Sequence, residues 1–209
     1  LVPDLAIRQA CWYAQIIPAA YLILSAALDV ILWRGKSSPG GVNHAGALAT
    51  LLASAEDLTA LQHIELWVVA LGATPQSGLT DLLRRYPFER AKTLFIALEG
   101  IGSGSLAYVT RVGLIRQVAA DPELLRLVAV ADAQDPLIDA EPRRYRHSPT
   151  IAEILCKAGW QAISIGCFTP DGQPPYRGSA DDTPAILDAN VLNRAVRLVV
   201  GLVRQIDIP

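Results

Sequence analysis

The sequence has 209 residues, which suits one α/β domain with a substantial core and a short appendage. With 18 basic and 20 acidic residues the net charge is -2, and neither sign gathers into runs, which excludes the basic footprint of a nucleic-acid-binding domain. At 52% hydrophobic and 18% charged residues, with mean hydropathy +0.32, the chain is more apolar than an ordinary soluble domain, so it holds either a large core or a membrane segment.

From Trp12 to Trp33 runs "WYAQIIPAAYLILSAALDVILW", interrupted only by Gln15, Ser25 and Asp29. Two readings stand side by side. Aromatic ends followed by Arg34 and Lys36 fit a bilayer-spanning or deeply buried helix, while "AAYLILSAALD" fits a buried strand ending at Asp29. Residues 1–37 are therefore set apart as an apolar N-terminal segment, and residues 38–209 as an α/β domain.

Within 38–209, segments of helical and strand period alternate. Ala45 to Leu61 predicts a helix with Asn43 as N-cap. "HIELWVVAL", His63 to Leu71, predicts a strand, and Leu79 to Tyr86 a helix stopped by Pro87. "KTLFIALEG" predicts a strand ending at Glu99, "IGSGS" a flexible loop, and "LAYVTRVGL" a third strand. Asp121 and Pro122 open a helix over "ELLRLVAVA". Asp132 to His147 reads as a long surface loop, Ile151 to Ala158 as a helix ended by Gly159, and "WQAISIG" as a buried strand. A second long loop, "FTPDGQPPYRGSADDTP", precedes an amphipathic closing helix from Val191 to Gln205.

This order predicts a three-layer α/β/α sandwich around a mostly parallel mixed sheet. Ligands of such sheets gather at the carboxyl ends of the strands. The segments expected there are the turn in the 40s, "GATPQSG", Glu99 with "GIGSG", and the loop at Asp181 and Asp182. Cys11, Cys156 and Cys167 have no CxxC spacing and are expected to be buried thiols.

Five motifs in order carry a resemblance: "GGVNHAGALATLL", "IELWVVALGATPQSGL", "LFIALEGIGSG", "AGWQAISIG" and "GSADDTPAILDANVL". Together they resemble the zinc-dependent aminopeptidases of the aminopeptidase Y and leucyl aminopeptidase type, a family that includes glutaminyl cyclases. The resemblance runs from about Ser38 to Ile206. It implies a zinc-aminopeptidase-like fold, and in active members two zinc ions about 3.5–4 Å apart with a glutamate as general base.

The implied ligand positions are degenerate. The bridging aspartate falls on Val42, the paired glutamates on Thr74 and Pro75 (or Pro75 and Gln76), and the last histidine on Gly178. If Asp29 belonged to the family's H-x-D motif, its histidine would fall on Ala27. Glu99 alone keeps a carboxylate where the family has an aspartate. The resemblance also implies a role, since the family includes members that keep the fold without the zinc site.

The other candidates each have a plainer alternative. His44 is a ligand or base, or a residue of the first helical turn. Arg143, Arg144, Arg146 and His147 form an anion-binding loop, or an exposed basic loop. Asp181 and Asp182 with Glu99 make an oxygen-rich cation site, or Asp182 orders the turn before Thr183 and Pro184. Asn43 stands beside these as part of a residual site. Neither a phosphate loop nor a GxSxG nucleophile is present in the sequence.

The expected function is therefore that of a non-catalytic aminopeptidase-like domain with a binding, assembly or regulatory role, its partner a peptide or protein, with no cofactor and no nucleic acid. The alternative is an active metal-dependent hydrolase, in which case zinc is the cofactor. Membrane association through residues 12–33 is the second expected interaction. The sequence leaves cellular location open.

Overall fold

A computed structural model describes residues 5–33, 38–72, 75–113, 117–146 and 149–209. The chain divides into two compact units, Leu1–Ser37 and Ser38–Pro209. In the first, α1 (Leu5–Trp33) is one 29-residue helix, so the strand alternative for "AAYLILSAALD" is not what forms there. Ala27 and Asp29 lie on this helix. Cys11 is exposed on it, contrary to the expectation of three buried thiols.

The second unit is built on one mixed sheet. Its strands are β1 (Leu94–Glu99), β2 (Ser105–Val112), β3 (Val118–Ala119), β4 (Glu141–Tyr145) and β5 (Gln161–Phe168). The strands β1, β5, β2 and β3 follow in that order, and β4 pairs with β2. The two parallel ladders, β1 with β5 and β2 with β4, are longer than the antiparallel ones of β2 with β5 and β3.

Alternate side chains of the strands feed two cores, as a period of two requires. Ile163 and Ile165 of β5, with Ile96 and Leu98 of β1, pack against α2 (Ala47–Asp57), α4 (Pro122–Gln134) and α6 (Ala189–Ile206). Ala162 and Ala97 turn the other way, toward Leu79 of α3 (Pro75–Arg85) and Leu155 of α5 (Ile151–Lys157). The result is helix, sheet, helix. It is the three-layer arrangement that alternating strands and helices predict.

Four expectations are corrected. Residues 64–72 have no regular secondary structure and join no ladder among the described residues, so "HIELWVVAL" is not a strand. Asp132 to His147 is not one loop, because it holds the end of α4 and all of β4. The "GIGSG" segment is packed rather than loose, with Gly100, Ile101 and Gly102 buried. Asn43 is not an N-cap: it lies inside a π-helical turn, Gly41–Gly46, that leads into α2.

Candidate functional site

The turn Gly41–Gly46 owes its position to two close approaches. A Cβ on Gly46 would lie 1.8 Å from the Ile101 carbonyl oxygen, and one on Gly41 would lie 2.4 Å from that of Thr183. Only glycine lets the backbone pass so near both loops. The turn is thereby pressed against the segment after β1 and against the loop before α6.

Asp182 fastens this contact. Its carboxylate, fully removed from solvent, accepts from the Val42 N–H at 2.6 Å, from Asn43 Nδ2 at 2.6 Å and from Ser38 Oγ at 3.1 Å. The Gly41 N–H donates to the Asp182 carbonyl at 2.8 Å. A buried carboxylate is stable only when its oxygens are satisfied in this way. Both oxygens are committed to protein donors.

Val42 itself is fully buried. His44 is exposed, and a Cβ on Gly40 would come 2.7 Å from its ring. Asp181 is exposed as well, its Oδ2 3.3 Å from Ser179 Oγ. Gly178 is exposed at positive φ, with nothing within 4 Å of where a side chain would begin. Pro75 opens α3, while Thr74 lies outside the described residues.

Glu99 closes β1 opposite Gly166 of β5. Its largely buried carboxylate accepts from the Ile151 N–H at 2.6 Å, at the first turn of α5. Burial raises its pKa to about 7, against the opposing pull of that N–H and of the Arg177 charge. Near neutrality the group is thus about half protonated.

The four residues expected to form an anion loop are placed apart from one another in role. Arg143 and Arg144 are in β4; Arg143 donates to the Thr169 carbonyl at 2.8 Å, pairs with Glu141 at 3.1 Å and stacks over Phe168. Arg144 and Arg146 are exposed, and His147 lies outside the described residues. Arg177, which no sequence motif singles out, donates to the Tyr145 hydroxyl at 2.9 Å and contributes its charge near Glu99.

Among the described residues no three His, Cys, Asp or Glu side chains come together in a group able to hold a metal ion. The donor chemistry agrees. Val42 and Gly178 offer no lone pair, Asp182 has spent both oxygens, and Glu99 stands alone, whereas a two-zinc centre needs a carboxylate bridge and further nitrogen or oxygen ligands on each ion.

Neither a family model nor a curated protein sequence matches the chain. Solved structures do. BSAP, a zinc aminopeptidase from Bacillus subtilis, superposes with a TM-score of 0.66 at 16% identity, over 81% of this chain and 42% of that one. An aminopeptidase from Aneurinibacillus sp. strain AM-1 gives 0.64 at 21% identity, over 80% and 40%. The LapA aminopeptidase of Legionella pneumophila gives 0.58 at 10% identity, over 80% and 46%. The chain shares the zinc-aminopeptidase fold. It spans less than half the length of each aminopeptidase it matches.

Proposed function

We propose that the aminopeptidase-like unit, residues 38–209, acts by binding a peptide or protein partner and does not hydrolyse peptides through zinc. One observation supports the reading: Val42, to which the resemblance assigns the bridging aspartate, is buried, and the buried carboxylate beside it, Asp182, is consumed in holding its turn. The chemistry of a two-metal centre has no donor set to build on among these side chains. The loops at the carboxyl ends of β1 and β5 remain a shaped surface for recognition.

Metal content and turnover test this together. Protein purified without chelator is expected to carry well below one zinc per chain and to show no hydrolysis of aminoacyl-anilides with zinc added. Zinc near two per chain with turnover would overturn the reading in favour of an active hydrolase. Val42→Asp is expected to leave zinc content unchanged, because one added carboxylate supplies neither the paired glutamates nor the histidine.

A further inference from the structure

We propose that α1 crosses a lipid bilayer. The stretch Gln9–Leu28 is long and apolar enough for a span, and none of it is buried. Twenty helical residues rise about 30 Å, the thickness of a bilayer's hydrocarbon core.

Exposure on every side excludes a one-sided partner and leaves a bilayer or the core of a larger protein, between which the interfacial aromatic residues favour the bilayer. Tyr21, Leu22, Ile23 and Leu24 are 70%, 64%, 70% and 60% exposed. At about 100° per residue, four consecutive positions point into all four quadrants around the helix axis. A protein groove covers one stripe of a helix, and a membrane surface takes up one amphipathic face. Only an environment that surrounds the helix covers all four directions.

Of the polar residues within the stretch, Gln9 and Gln15 lie in its first third, toward one interface, and Ser25 lies toward the other. Ser25 Oγ donates to the Leu22 carbonyl at 3.0 Å, so its hydroxyl is satisfied within the helix. Pro18 is of a kind that spanning helices tolerate. In the sequence, Trp12, Tyr13 and Trp33 bracket the apolar run, matching aromatic belts at two interfaces. Asp29 falls outside the Gln9–Leu28 window, toward the end that Arg34 and Lys36 follow. A cleavable secretory leader has a shorter apolar core, about 7–15 residues, than the 20 of Gln9–Leu28; its positive charge ahead of the core has a counterpart here in Arg8, so length is what separates the two.

The test uses the full chain with Cys11→Ser, Cys156→Ser and Cys167→Ala, so that all three native thiols are removed, and single cysteines at positions 21, 22, 23 and 24, reconstituted in sealed phosphatidylcholine vesicles. A membrane-impermeant maleimide reads each thiol before and after denaturation in sodium dodecyl sulfate. All four positions are expected to react at least about tenfold more slowly in vesicles, since a thiol in hydrocarbon neither ionises nor meets the reagent. Protection at one or two positions with rapid labelling of the others would mean a helix lying on the surface, and would overturn the span. Vesicle flotation separates insertion from aggregation: the protein is expected to float and to resist extraction at alkaline pH. Recovery of wild-type protein in the soluble fraction would equally overturn it.

Discussion

β5 and the stretch from Gln62 to Gly72 are both largely apolar, yet they differ in what their backbones touch. β5 lies between β1 and β2, and seven of its eight residues are buried. The other stretch begins well anchored, because the Asp207 carboxylate accepts from the N–H groups of Gln62, His63 and Ile64. Beyond Ile64 no ladder forms, and Leu66, Trp67 and Val68 are exposed; Trp67 packs edge-on against Tyr86 and Phe88. Apolar content supplies the tendency to be extended. A paired backbone is what makes the strand, on both sides for β5 and on one side for β1.

That contrast can be broken from the β5 side first. Ile165→Ala, at a site with no solvent exposure, is expected to cost about 4 kcal/mol of unfolding free energy in a urea titration. A loss below about 1 kcal/mol would mean that β5 is no more committed to the core than residues 64–72.

The next largest effect lies where side chains stand in for a ladder. Asp182→Ala leaves the Val42 N–H and the Asn43 amide without their acceptor in a buried place, and should cost about 3 kcal/mol. Thermal unfolding of the variant against wild type measures it, and Asp182→Asn should recover part of the loss by keeping one acceptor.

Glu99 sharpens the same point through pH. Its folded pKa of about 7 stands above the ordinary 4.5, so the folded chain holds more protons than the unfolded one between those values. Stability from this group is therefore present below about pH 4.5 and falls as pH rises to about 7. Glu99→Gln should remove that fall and raise stability at pH 8 by up to about 3 kcal/mol, read from urea titrations across the range. Equal pH dependence in the two proteins would show that the carboxyl is not held in the buried state described.

The smallest effect is expected in the unpaired stretch. Val68→Ala, at a site 43% exposed, should change unfolding free energy by less than about 0.5 kcal/mol. A cost near 2 kcal/mol would show that the stretch is covered in solution.

The layering was legible in the sequence because each paired strand and each long helix keeps its own period. β4 was not legible. "EPRRY" is charged and contains proline, a composition that strands disfavour, and it is a strand through its parallel pairing with β2. The expected helix from Ile151 is α5, and the Thr150 hydroxyl caps it by accepting the Glu153 N–H. The orientation that this gives Ile151 toward Glu99 was not visible, since the two are 52 residues apart.

The candidate site divides in the same way. Degeneracy at Val42 and Gly178 could be read directly from residue type. The position of Asp182 before Thr183 and Pro184 suggested a local turn, but three of its acceptor contacts are with residues 38 to 43. No local pattern announces a partner so distant in the chain.

The Asp182 contact also sets an order of assembly. Its carboxylate joins Val42 to a residue 140 positions later, so the opening turn of the α/β unit waits for nearly the last loop to be made. During synthesis that turn would emerge with its N–H groups meeting water, and β1 would precede its neighbour β5 by about 60 residues. Contacts of such separation slow folding, because the loop entropy is lost before the contact returns anything. Completion of this unit is thus a late, single event, which closes the two ends of the fold together.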